Sequence, residues 1–273
     1  MFARVRFFSG AAVIAFCCSA AFANPVSPGF SSNTLAADDD GSTGQVNLGF
    51  TIDFFGLDYS TVYVNNNGNI TFSGPLSAYT PYGLASSSQS IIAPFFADVD
   101  TRGSGSGLTS YGTGTYNGYS AFGATWDGVG YYSEQTDKLN TFQVILVDRD
   151  DVGSGDFDIY FNYGPIQWET GEASGGTDGL GGSSAVVGYS NGTPAGPNEV
   201  TYELPGSAVN GALIDGGPDS LSAGTNDGVT GQYVFEDRNG VVITSSATPE
   251  PGSFLLLGSG LLGLATVLRR RAA

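Results

Sequence analysis

The chain has 273 residues, of which 26 are acidic, nine basic, 42 glycine and two cysteine, with no histidine at all. A net charge of −17 repels nucleic acid and anionic membranes, which argues against both as partners of the body of the chain. The lack of histidine closes Ser-His and Cys-His catalysis, and 12% aromatic residues with only 13% charged ones argue against disorder.

Arg4 and Arg6 precede an apolar stretch from Ala11 to Phe22, and Ala21-Phe22-Ala23 is a small-x-small site for signal peptidase. Residues 1–23 therefore read as a secretory signal, with Asn24 the first mature residue. Cys17 and Cys18 raise a lipoprotein alternative, but bulky Phe16 stands where a lipobox takes a small residue, and both cysteines are expected to leave with the signal. The mature chain then has no disulfide, no thiol nucleophile and no thiolate metal site. Its stability must come from a hydrophobic core, which about 225 residues can supply as one β-rich domain. Among the acids only Glu250 lies outside 24–248, and among the bases only Arg4, Arg6, Arg269, Arg270 and Arg271. That leaves 25 acids against four bases, a net charge of −21 for the body. Such a surface suits solubility outside the cell and attracts cations.

Residues 24–45, with Asp38-Asp39-Asp40-Gly41, read as an irregular lead-in to a domain over 46–245. Strand signals follow at Val46–Phe55 and Thr61–Val64, then the turn Asn65-Asn66-Asn67-Gly68 and a strand Asn69–Ser73. "VYVNNNGNITF" is a hairpin with Asn-Gly turn chemistry, because both residues tolerate positive φ. Ser90–Ala97 is an apolar run, 102–118 holds six glycines and reads as a loop, and Ala121–Tyr132 alternates with Phe122, Ala124 and Trp126 on one face. "NTFQVILV" (140–147) is apolar on both faces, as a central strand is. "DFDIYFNY" (156–163) places Phe157, Ile159, Phe161 and Tyr163 on one face and Asp158 and Asn162 on the other, as its half-buried antiparallel partner. A second glycine loop over 171–184 and short strands near 185–190, 199–204 and 232–244 complete the body. With no convincing amphipathic helix, the pattern predicts an all-β domain, a single sandwich or barrel-like fold.

Candidate sites are few. Asp98 and Asp100 flank Val99, so on a strand they point the same way and either share a Ca2+ ion or leave Asp100 to pair with Arg102. "DRDDVGSGDFD" (148–158) fits an EF-hand loop at Asp148, Asp150 and Gly153 but fails at Val152 and Ile159, so it reads as a solvated connection. Trp126 and Trp168 are expected in the core. Tyr111, Tyr116 and Tyr119, in and beside the first glycine loop, are the better candidates for stacking on a sugar. A two-carboxylate glycosidase needs only a pair of acids at the right separation, and with 25 acids such a pair carries no information. No nucleophile–base arrangement can be named, and the expectation is that the protein is not an enzyme.

The chain closes on Pro249-Glu250-Pro251, an apolar run Phe254–Leu268 and Arg269-Arg270-Arg271. As a helix the run would rise about 22 Å against a hydrocarbon core of about 30 Å, a short span helped by snorkelling arginines that stay on the cytoplasmic side. The order and spacing resemble the PEP-CTERM sorting signal of Gram-negative bacteria over 248–273. The resemblance implies recognition by exosortase and cleavage near the Pro-Glu-Pro. It also implies a transient hold in the inner membrane before surface display or secretion, and a link to exopolysaccharide and biofilm production.

"YVNNNGNITF", "IIAPFFADVDTR", "GATWDGVGYY", "NTFQVILVDR", "GDFDIYFNYGPIQWETG", "AVVGYSNG" and "GQYVFE" resemble, in that order, the nidogen-like (NIDO) extracellular domain from about residue 46 to 237. This resemblance implies a secreted or cell-surface protein associated with cell–matrix adhesion, and it brings no catalytic residues with it. The reading is a noncatalytic exported surface or matrix protein whose partners are exosortase and signal peptidase during export, then matrix components or extracellular polysaccharide. The alternatives are a carbohydrate-binding module for exopolysaccharide and, behind it, a two-carboxylate hydrolase.

Overall fold

The computed structural model describes residues 25–194 and 196–244; the signal segment with Ala21 and Ala23, and the tail with Pro249, Glu250, Pro251 and Arg269 to Arg271, lie outside them. Turns rich in Asn and Gly cut the described chain into short strands that build two antiparallel sheets. The first sheet runs β1 (Asn33–Thr34), β6 (Thr109–Tyr116), β7 (Tyr119–Tyr131), β8 (Gln135–Asp148), β9 (Phe157–Tyr163), β12 (Gln232–Arg238), β13 (Val241–Thr244). The second runs β11 (Thr201–Glu203), β10 (Val186–Ser190), β5 (Ile91–Phe96), β4 (Asn69–Thr71), β3 (Asp58–Asn65), β2 (Val46–Asp53). The two close as a sandwich rather than a barrel. Among the described residues the helical content is two single 3-10 turns, at Leu84–Ser86 and Glu172–Ser174.

Period-2 alternation sets the register. β8 lies between β7 and β9, with Leu146 opposite both Phe122 and Ile159, Val144 opposite both Ala124 and Phe161, and Phe142 opposite both Trp126 and Tyr163. These rows continue onto β12, where Phe235 faces Ile159 and Tyr233 faces Phe161. Leu48, Val62, Val64, Ile70 and Phe95 of the other sheet meet them in one buried core. Trp126 stacks on Phe142 at 5.1 Å and 15°, and Phe161 meets Phe235 edge-on at 5.3 Å. Buried rings of this size typically cost about 3–5 kcal/mol when cut to alanine, so this inner face is the main source of stability.

Three expectations need correction. The glycine-rich segment 102–118 is not all loop, because Thr109–Tyr116 is strand β6, paired along its length with β7. Its glycines mark close approach rather than disorder. A Cβ on Gly112 would lie 2.1 Å from Ser32 Oγ, and one on Gly114 would lie 3.1 Å from the Phe30 ring. The lead-in therefore packs on the sheet: β1 pairs with β6, and Phe30 is buried with Ala121, Ile145 and Val147 in a second small core on the outer face. The outer face of β9 is not solvated either. Gln143 accepts from Asn162 Nδ2 and from Ser27 N, and Asp158, only 4% exposed, takes Arg149 at 2.8 Å and Arg238 at 2.6 Å.

Candidate functional site

Four segments meet at the Asn65-Asn66-Asn67-Gly68 turn. Its asparagines are buried, since each replaces water with protein partners. Asn66 Nδ2 donates to the carbonyls of Asp39 (2.5 Å) and Val99 (2.6 Å), and its own carbonyl accepts from Trp126 Nε1 at 2.9 Å. Asn67 Nδ2 donates to Asp40 Oδ1 at 2.9 Å, while its Oδ1 accepts from Val99 N at 2.9 Å. The hairpin thus holds the acidic lead-in against the end of β5 and places the Asp98-Val99-Asp100 segment.

Asp98 and Asp100 are adjacent but differently engaged. Val99 forms a bridge to Tyr131. Asp100 accepts from Arg102 Nε at 2.9 Å, Arg102 Nη2 at 2.7 Å and Glu134 N at 2.9 Å. Burial pushes its pKa up, but these hydrogen bonds and the guanidinium charge hold it below the usual carboxylate value. The ion pair with Arg102 is thus the alternative that the structure contains, and it occupies both oxygens of Asp100. Asp98 is 1% exposed. Its Oδ2 accepts from the Ser174 amide and hydroxyl, each at 3.2 Å, and its Oδ1 is buried with no hydrogen-bond partner. Burial pushes its pKa up to about 7; the Ser174 hydroxyl opposes this and the charges of Asp39 and Asp40 reinforce it.

Asp98 lines a pocket of about 170 Å³ together with Asp39, Asp40, Tyr79, Tyr132 and Ala173. Asp39 Oδ2 accepts from Arg102 Nη2 at 2.9 Å, and its Oδ1 is buried without a partner. Burial, then the charges of Asp100 and Asp40, raise its pKa to about 6. Asp39 and Asp40 were not expected here. The acidic run before Gly41 was the available signal, but nothing local says that it folds back onto Asp98. Among the described residues, no three acidic side chains already converge as a metal cage.

The other candidates separate. Trp126 and Trp168 are buried, Trp168 donating Nε1 to Val129 O at 3.1 Å, so both are core as expected. Tyr111 and Tyr116 lie on opposite faces of β6. Tyr111 packs against the main core, and Tyr116 against the outer one beside Tyr160. Tyr119, 37% exposed, carries Arg149 over its ring at 4.8 Å. The three tyrosines therefore form no common stacking platform. In the 148–158 segment Asp158 and Asp151 bind Arg149, and Asp150 Oδ1 accepts from Gly155 N, which leaves an ion-paired connection and not a calcium loop. A larger pocket of about 470 Å³ opens beside β11 and β12, lined in part by the Tyr202 and Tyr233 rings with Asp219, Ser220 and Thr225.

The model of the nidogen-like domain matches residues 60–239. The chain belongs to the nidogen-like domain family. A PEP-CTERM protein-sorting motif matches residues 247–271. Alpha-tectorin of Mus musculus is 32% identical over 243 residues, 81% of this chain and 11% of its own length. The nidogen of Drosophila melanogaster is 31% identical over 226 residues, 74% of this chain and 15% of its own length. The chain thus aligns with between about a tenth and a seventh of the length of these relatives. No solved structure matches it significantly. The sorting motif and the nidogen-like domain together support an exported protein, and no catalytic family is indicated.

Proposed function

We propose that this protein is a noncatalytic component of the extracellular matrix of the cell that exports it, delivered by exosortase and engaged in adhesion within exopolysaccharide or biofilm. The observation that carries the reading is the union, in one chain, of a nidogen-like domain with a C-terminal PEP-CTERM motif. The first belongs to a family associated with cell–matrix adhesion, and the second is the address of proteins linked to exopolysaccharide. The chemistry agrees with a binding role. The body has no histidine or cysteine, and Asp100 is committed to Arg102.

The delivery step has a direct test. Intact mass of the surface-exposed protein should show loss of the tail near Pro249-Glu250-Pro251, and deletion of 249–273 should release the body or mislocalise it. A surface species still ending at Ala273 would overturn processing by exosortase.

Carbohydrate binding is the second reading, favoured by the pocket in which Tyr202 and Tyr233 stand beside Asp219, Ser220 and Thr225. Rings flanked by polar groups are the usual means of holding a sugar. The exported protein incubated with the producer's purified exopolysaccharide should co-sediment with it. Co-sedimentation accompanied by glycan-array binding that Tyr202→Ala removes selects the carbohydrate module. Retention by whole matrix but not by purified polysaccharide selects adhesion to another component. Release of reducing ends would overturn the noncatalytic reading.

A further inference from the structure

The Asp98 pocket contains more negative charge than the protein itself neutralises. Asp39, Asp40 and Asp98 line it, and Arg102 is the one base nearby, shared between Asp39 and the neighbouring Asp100. The remaining bases of the body are committed elsewhere. Lys138 pairs with Asp137 and Asp178, Arg149 with Asp151 and Asp158, and Arg238 with Asp158 and Glu236. No protein cation therefore reaches the buried Oδ1 of Asp98, and an unpaired buried carboxylate is costly unless something compensates it. A second unpartnered oxygen, Asp39 Oδ1, belongs to the same pocket. Two residues on separate segments thus leave an acceptor apiece with no donor to meet it.

We propose that this pocket is a calcium site, with Asp98 Oδ1 and Asp39 Oδ1 as its carboxylate ligands, Asp40 beside them and water completing the shell. Oxygen-only donors suit Ca2+, and the irregular geometry of a pocket between loops suits it better than Mg2+, which demands a tight octahedron. With two free carboxylate oxygens rather than a closed cage, the affinity belongs in the weak range of extracellular modules, about 10⁻⁴–10⁻³ M. The ion is a clamp. It ties the lead-in at Asp39 to Asp98, and through the Ser174 hydrogen bonds to the 172–174 turn, so its binding orders the end of the sandwich. The ion binds, whichever matrix component the protein meets.

Tyr79 and Tyr132 line the same pocket and make Tb3+ a usable probe, since a lanthanide bound beside a tyrosine emits on excitation of the ring. At pH 7.5 and constant ionic strength, the exported protein should give tyrosine-sensitised Tb3+ emission that millimolar Ca2+ displaces. Its melting temperature should rise by about 3–8 °C between chelator and 10 mM Ca2+. Asp98→Asn, and separately Asp39→Asn on the more exposed lead-in in case the first fails to fold, should remove most of the displaceable emission and the thermal shift. Identical melts in calcium and chelator, or displaceable emission that survives in both folded variants, would overturn the site.

Discussion

Replacing Gly68 with alanine is expected to cost more than about 4 kcal/mol, enough to leave much of the protein unfolded at 37 °C. Two effects add. Gly68 has φ of +74°, a left-handed conformation that costs a residue with a Cβ about 1–2 kcal/mol. The new Cβ would also stand 1.8 Å from the carbonyl oxygen of Phe95, which is backbone and cannot rotate away. Retreat is blocked as well, because Phe95 N donates to Gly68 O at 3.1 Å and Asn66 and Asn67 fasten the turn to Asp39 and Asp40 of the lead-in. Gly118 is the matched control. It has φ of +89° in the β6–β7 turn, but a Cβ there meets nothing within 4 Å, so Gly118→Ala should cost only about 1–2 kcal/mol. Urea denaturation of the two variants separates the steric from the conformational contribution. Similar losses would mean that the turn and β5 yield to each other, and that the buried asparagine hairpin is not the rigid joint described above.

The same turn shows where sequence reading stops. "VYVNNNGNITF" announces its hairpin, because the Asn-Gly pair has a short-range cause in backbone conformation. Asn65 and Asn69 bond to each other within the hairpin, but that Asn66 and Asn67 are buried does not follow, since their partners are the carbonyls of Asp39 and Val99 and the Asp40 carboxylate, all distant in sequence. The antiparallel pairing of "NTFQVILV" with "DFDIYFNY" was legible for a similarly local reason. The link between the two runs is short and turn-rich, and period-2 alternation in the second puts Phe157, Ile159 and Phe161 on the face that must meet the apolar first run. Strand β6 was hidden because Gly112 and Gly114 look like loop residues until Ser32 and Phe30 are known to lie on them. The acidic pocket was half legible. Asp98 and Asp100 were visible as a pair, yet Arg102 parts them, and the residues that join Asp98 come from a lead-in whose sequence looks irregular.

Asp237→Asn is expected to gain stability relative to the parent protein as pH rises, by about 2–4 kcal/mol between pH 5 and pH 8. Asp237 lies on β12 and is fully buried, and neither carboxylate oxygen has a hydrogen-bond partner of normal geometry. Asp53 at the end of β2 and Asp156 before β9 face it. Arg238, next in sequence, is turned to Asp158 and to the Phe157 carbonyl. Burial, then the charges of Asp53 and Asp156, push its pKa from 3.8 up to about 7, against weaker help from the Gly240 amide and Arg238. The sign follows from proton counting. Between about pH 4 and pH 7 the folded chain keeps a proton that the unfolded chain has released, so stability is greatest at the acid end and is lost as pH rises through 7. Asparagine carries no such proton. Its own burial has a cost, but that cost is the same at every pH, so the difference between the two proteins isolates the titration. Urea denaturation of both in chelator at pH 5, 6, 7 and 8 gives that difference directly, with contributions from other acids cancelling. Parallel profiles would mean that Asp237 is neutralised by a partner other than a proton, and would remove burial against Asp53 and Asp156 as the cause.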